Sequence, residues 1–251
     1  MGWIAPILVF VMLAAPALRL WRSENSAERN IAIFFLASAL GLALRLAAVR
    51  NGSLGAGSAG GIESVANTFG HLGLTIACIA LFNFTRIVFR PAAAWACWVQ
   101  RAGSAGAILA FCALFLDHGL VREEATSVLV ANSVRAASFA WCFAEALHYW
   151  TLMRRRLAMR LADPIVANRF GLWSVWTGCL TATLVFVLAG RIGGALMDVD
   201  GSALPAAMPF VRAFILACIG ACMTAIWLSF FPPSRYLDWI EKRNAAPSVQ
   251  A

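Results

Sequence analysis

The sequence predicts an all-α integral membrane protein, a bundle of seven transmembrane helices with its N-terminus outside and its C-terminus in the cytoplasm. Three observations carry this expectation. Hydrophobic residues make up 61% of the chain, and its mean hydropathy is +0.77. They gather into stretches of about 20 apolar residues, the length that crosses a hydrocarbon core as a helix. Basic residues crowd the connections on one side of these stretches and avoid the other. At 251 residues the spans consume most of the chain. That leaves one transmembrane domain, 1–231, and a short cytoplasmic tail, 232–251.

The spans are read at 3–20, 31–49, 68–88, 94–116, 127–152, 170–190 and 206–230. The first starts at Met1-Gly2-Trp3-Ile4, which lacks the basic flank of a secretory signal peptide, so it reads as a retained span. Pro16 within it would kink or loosen the helix. The second is followed by a glycine-rich external loop from Asn51 to Gly61, flexible by composition. No Gly-Lys-Ser/Thr follows it, so it is not a phosphate cradle. In the fourth, the apolar run from Ala102 to Leu116 rises only about 22 Å, short of a ~30 Å core. The helix must start near Trp95, carrying Gln100 and Arg101 into the membrane, or sit in thinned bilayer; Trp95 and Trp98 as interfacial anchors favour the first. The fifth closes on Arg154-Arg155-Arg156, a cytoplasmic stop. The seventh carries Pro209 and a stripe of small residues, Ala217, Ala221 and Ala225, expected to mark its packed face.

Orientation follows from the basic residues beside the spans. Arg19, Arg22, Arg29, Arg86, Arg90, Arg101, Arg154, Arg155, Arg156, Arg160, Arg169, Arg235, Lys242 and Arg243 fall on one side; Arg50, Arg122 and Arg191 fall on the other. Fourteen against three places the first set in the cytoplasm. This distribution, rather than an affinity for nucleic acid, accounts for the net charge of +8.

Several chemistries are excluded or disfavoured. The sole lysine, Lys242, lies in the tail, so no retinal Schiff base can form within the bundle. No Gly-x-Ser-x-Gly or His-Glu-x-x-His is present, and no catalytic motif marks an enzyme. The seven cysteines lie in or beside spans and read as small core residues, not a disulfide framework. Glu145 and His148 form one Glu-x-x-His spacing where a di-metal bundle needs two. Cys218 and Cys222 lack a third ligand nearby in sequence. Neither a metal nor a cofactor is expected.

Charged residues inside spans are the strongest pointers to function, because each is costly unless paired, hydrated or snorkelling. Arg135 lies about 12 Å below the outer face, Arg212 about 10 Å, Arg45 about 8 Å and His71 about 5 Å, at 1.5 Å per residue. No carboxylate shares their depth; the external acids Glu63, Asp117, Glu123, Glu124, Asp198 and Asp200 lie in loops. Arg45, His71, Arg135 and Arg212, with Asn132 one turn before Arg135, form a candidate site for an anion gripped by guanidinium groups. The competing reading is that each arginine snorkels to lipid phosphate or bonds a loop acid. In the inner half, Glu145 is the one acid deep in a span. Arg101 is its expected partner, Asn83 lies near the same level, and Arg86 is the fallback.

The segment Trp227-Leu228-Ser229-Phe230-Phe231-Pro232-Pro233-Ser234-Arg235-Tyr236-Leu237-Asp238-Trp239-Ile240 ends the last span at a proline pair and sets Tyr236 and Trp239 at interfacial spacing. With the N-out layout and arginine-rich makeup, the chain resembles an uncharacterised group of actinobacterial seven-helix membrane proteins, some of which carry a transporter label. The resemblance implies a bacterial plasma membrane and supplies no catalytic motif.

Two functions compete. The favoured one is a non-enzymatic sensor or accessory protein that binds a small or lipidic anion in the outer half and acts through a protein partner. The alternative is a small transporter or channel, with Glu145 and the intramembrane arginines lining a route. A dry, packed middle favours the first, and a continuous polar path the second.

Overall fold

The computed structural model describes residues 4–21, 24–50, 62–116, 126–196 and 209–244. Every element among them is helical: α1 (Ile4–Trp21), α2 (Ser26–Arg50), α3 (Ile62–Phe89), α4 (Ala94–Leu116), α5 (Thr126–Ala158), α6 (Pro164–Leu196), α7 (Pro209–Phe230) and α8 (Ser234–Asn244). Six of them, α2 to α7, are long and apolar enough to cross a membrane. α1 is a further apolar helix of 18 residues, packed along α2. The glycine-rich segment 51–61 and the acids Asp117, Glu123, Glu124, Asp198 and Asp200 lie outside the described residues, and Glu63, expected in a loop, stands instead in the first turn of α3.

The helices begin and end where local chemistry dictates. Asn25 caps α2, its Oδ1 accepting from the Ala27 amide at 2.9 Å. Asp163 caps α6 in the same way through the Ile165 amide at 2.7 Å, and Pro164 takes the first helical position, where its missing N–H costs nothing. α5 stops at Arg160, whose φ of 58° puts it in the left-handed region usually held by glycine. Pro232-Pro233 ends α7. α4 begins at Ala94, ahead of Trp95, Gln100 and Arg101.

Several helices outrun the apolar spans that predicted them. α5 has 33 residues, about 50 Å at helical rise against a ~30 Å core. Its last turns therefore project past the end of α3, where the Tyr149 hydroxyl donates to the Phe89 carbonyl at 2.7 Å.

Packing follows the chain. α1, α2, α3, α5, α6 and α7 form a ring in sequence order, closed where α7 meets α1, and α4 lies outside in the groove between α3 and α5. α2 and α3 approach closely because glycines interlock: a Cβ on Gly41 would stand 2.8 Å from the Gly70 carbonyl oxygen, and one on Gly73 would stand 2.9 Å from that of Ala37. α4 is held through Ala96, Ala107, Ala110 and Leu114 and exposes Trp98, Leu109 and Leu116.

The main core runs through the half of the ring that holds the C-terminal ends of α1, α3 and α7. Phe34, Phe35, Phe139 and Trp176 form an aromatic layer, with Phe34–Trp176 centroids 5.7 Å apart and Phe34–Phe139 centroids 5.9 Å apart. Below it, Phe84, Phe89, Tyr149, Phe170 and Trp173 form a second layer. Among the described side chains, the buried residues of α1 lie toward its C-terminal end, those of α6 toward its N-terminal end and those of α7 mostly toward its C-terminal end, whereas α3 and α5 are buried along most of their length.

The small stripe of the last span does not mark its packed face. Ala225 is buried, but Ala217 and Ala221 are exposed; the inward line of α7 runs through Val211, Cys222, Ala225, Ile226 and Ser229. In a helix apolar on all sides, small residues permit close packing without selecting the side on which it occurs.

Candidate functional site

Two polar clusters interrupt the apolar packing, one within the bundle and one at the end of α3. The outer one is built on α2, α3 and α5. His71, one turn above Thr75 on α3, is 1% exposed, and Arg135 on α5 is 8% exposed. The Arg135 Nη2 lies 3.2 Å from His71 Nδ1, and its Nη1 donates to Asn132 Oδ1 at 2.9 Å. A guanidinium offers donors only, so His71 Nδ1 is the acceptor and the neutral ring carries its proton on Nε2. Neither partner of Arg135 is an acid.

Arg45 reaches the same cluster from α2. Its Nε donates to the Oδ1 of buried Asn67 at 3.4 Å, and it lies close enough to Arg135 for the two like charges to repel. Its stem crosses Gly70, where a Cβ would stand 2.5 Å from the Arg45 Cγ. Glycine is what lets the side chain pass along α3. Beneath, the side chains of Thr75, Cys78, Ala107, Ala110, Ala131, Val134 and Arg135 line a small cavity with room for about one water molecule. Thr75 and Ser138 hydroxyls bond back to the His71 and Arg135 carbonyls at 2.9 and 2.7 Å, which fixes the helix turns that carry the two side chains.

Arg45, His71, Asn132 and Arg135 therefore come together at one level. The side chain of Arg212, on α7, lies outside the described residues. Asn67 was missed by sequence reading, although its position four residues before His71 puts it on the same helical face.

The inner cluster corrects an expectation. Glu145, 6% exposed, is bound not by Arg101 but by Arg90, whose Nε lies 3.0 and 2.9 Å from the two carboxylate oxygens. Arg101 is exposed on the outer face of α4 with its guanidinium 5.8 Å from the Trp98 ring centroid. Arg86, the fallback, is not the partner either; its Nε is buried without a hydrogen bond. Asn83 is half-buried on α3 outside this contact. Because Arg90 belongs to the α3–α4 turn, Glu145 sits level with the end of α3, at the edge of the apolar layer and not deep within it. The Glu145 side-chain hydrogen bond holds the Arg90 guanidinium above its ordinary range. Arg90 also stands over Trp95, 5.8 Å from the ring centroid.

His148 is exposed while Glu145 is buried, so the Glu-x-x-His pair does not converge. All seven cysteines are free thiols. Between Arg135 and Glu145 the inward face of α5 carries Phe139 and the fully buried Cys142, against Phe34 and Trp176. The indole Nε1 of Trp176 is enclosed there without a hydrogen-bond partner.

Comparison with protein-family models, with curated proteins and with solved structures finds no match. The chemistry of the site rests on its own geometry.

Proposed function

We propose that the protein is a non-enzymatic sensor or accessory protein of a bacterial plasma membrane, which binds a small or lipidic anion in the outer half of the bundle and acts through a partner. The observation that carries this reading is Arg135. A buried guanidinium with only neutral acceptors is costly in an apolar layer, and an anion between Arg135 and Arg45 would offset that cost with charge-assisted hydrogen bonds. The packed aromatic layer supports binding over conduction, since Phe34, Phe139 and Trp176 separate the arginines from Glu145. The transporter alternative would need that layer to open.

Native mass spectrometry of protein extracted in mild detergent tests the reading. Wild type is expected to retain an anionic adduct that the Arg135→Gln variant lacks. Identical spectra for a folded variant would sink the proposal.

The same reading places seven spans in the membrane with the N-terminus outside. The clustering of helix ends supports it: Arg19 Nη1 donates to the Phe230 carbonyl, Asn168 Nδ2 donates to the Tyr236 hydroxyl at 2.9 Å, and Tyr149 bonds Phe89. These contacts gather the arginine-rich ends on one face, which the positive-inside rule assigns to the cytoplasm. Reporter fusions at Gly57 and at Ala251 should report outside and inside respectively; both on one side would remove the topology.

A further inference from the structure

We propose that the outer site takes up its anion, an oxyanion of the phosphodiester or carboxylate kind, together with one proton, and that His71 carries the proton. The inference rests on the anion reading of Arg135 and adds a chemical condition to it. The 3.2 Å contact between Arg135 Nη2 and His71 Nδ1 requires a lone pair on Nδ1, because arginine can only donate. Protonation of Nδ1 would set one N–H against another, so this contact and a charged His71 exclude each other.

An oxyanion that docks on Arg135 beside His71 meets the Nδ1 lone pair, acceptor against acceptor. Nη1 gives one N–H to Asn132 at 2.9 Å and Nη2 one to His71 at 3.2 Å, and each keeps a second N–H for an anion. A neutral Nδ1 facing the oxyanion is an unfavourable acceptor–acceptor contact in a side chain only 1% exposed, where water cannot relieve it. Taking a proton from water at the outer side turns Nδ1–H into a donor to the anion and resolves the defect. The Nδ1–H bond forms as an O–H bond of hydronium breaks and leaves water, and the Nη2···Nδ1 hydrogen bond gives way to hydrogen bonds from Nη2 and Nδ1 to the anion. The anion's negative charge and the proton's positive charge cancel, so the net charge of the cluster does not change on binding.

The described groups facing His71 agree with this. Arg45 from α2 and Arg135 from α5 are both cations, and among the described residues the Cys78 thiol on α3 is a further titratable group, lining the cavity below with its Sγ 3.8 Å from the Val134 carbonyl oxygen. With the Arg135 guanidinium 3.2 Å away, an imidazolium is favoured once an anion is bound beside it. Anion affinity should therefore rise as pH falls, by up to about tenfold per pH unit, the limit for one coupled proton.

The experiment uses full-length protein with ¹⁵N-labelled histidine. His118→Asn and His148→Asn variants assign the three imidazoles. The probes are dimethyl phosphate, added to protein in detergent, and phosphatidylglycerol against phosphatidylcholine in nanodiscs; the phosphodiester keeps one charge across the range where histidine titrates, about pH 5 to 8. Without anion, His71 should show the neutral Nε2–H form. With anion, its Nδ1 resonance should move to the imidazolium position. A response to both probes identifies a water-borne phosphodiester, and a response to phosphatidylglycerol alone a lipid headgroup; either supports the proposal. Binding with His71 still neutral and affinity flat in pH overturns the coupling but leaves the anion site standing. No binding of either probe overturns the anion reading itself.

Discussion

Replacing Arg135 by methionine and His71 by phenylalanine together should make the protein more stable in anion-free detergent, while abolishing any stabilisation by an anion. The expectation follows from how buried charges behave. Apolar residues of similar volume in place of a buried charged group are commonly neutral or stabilising by about 1–4 kcal/mol. Changing both residues avoids leaving the His71 Nδ1 without its donor, which alone would cost roughly 1–3 kcal/mol. Asn132 is only half-buried, so its freed carbonyl oxygen can be solvated. Thermal melts of wild type and the double variant, each with and without added dimethyl phosphate, give the answer. An arginine kept for structure predicts the opposite sign: the double variant would melt lower in every condition. A cation kept for a ligand predicts that it melts higher without anion and shows no shift when anion is added. That trade of stability for a site is what a functional buried charge looks like.

Much of the architecture was legible because the bilayer simplifies the problem. Length and apolarity alone locate helices when every backbone group must be satisfied internally, and α4 starts at the residue, Ala94, that the interfacial tryptophans called for. Helix ends were less legible. α2, α3, α5 and α6 continue past the apolar layer, and nothing in hydropathy marks where a helix stops once it has left the membrane. Ser26–Glu28 and Arg154–Ala158 are polar helix, not loop.

The candidate site was half legible for a related reason. Depth along a helix can be counted from sequence, and it brought Arg45, His71, Asn132 and Arg135 to one level. Rotation about the helix axis cannot be counted when every face is apolar. Arg101 shares a helix with residues that pack inward, yet it points away from α5. The same blindness misled the Ala217 and Ala221 stripe. Arg90 was overlooked as a partner because it lies in a turn, outside any span, whereas the projection of α5 beyond α3 brings Glu145 up to meet that turn.

The contact between Arg90 and Glu145 leads to the second large effect, on stability. Glu145→Gln and Arg90→Gln should each destabilise the bundle. Losing one partner of a fully buried pair costs roughly 3–5 kcal/mol, because the other charge is left uncompensated. Arg90 has a side chain 34% exposed against 7% for Glu145, so the two losses should differ. With Arg90 removed, the buried carboxylate is stranded, and the loss should approach the lower end of that range. With Glu145 neutralised, Arg90 can turn toward water and Trp95 retains it, so the loss should be smaller. The double variant should then lie above the sum of the singles by about 1–3 kcal/mol, the coupling expected of residues in direct contact. Urea or thermal unfolding of the four proteins in one detergent measures this, and strictly additive losses would exclude a working pair. Arg101→Gln is the internal control. Its guanidinium is exposed over Trp98 and out of reach of Glu145, so it should change stability by less than about 0.5 kcal/mol. It should also show no coupling to Glu145→Gln. A large Arg101 effect would mean that α4 sits rotated from the arrangement described, with its charged edge turned toward α5.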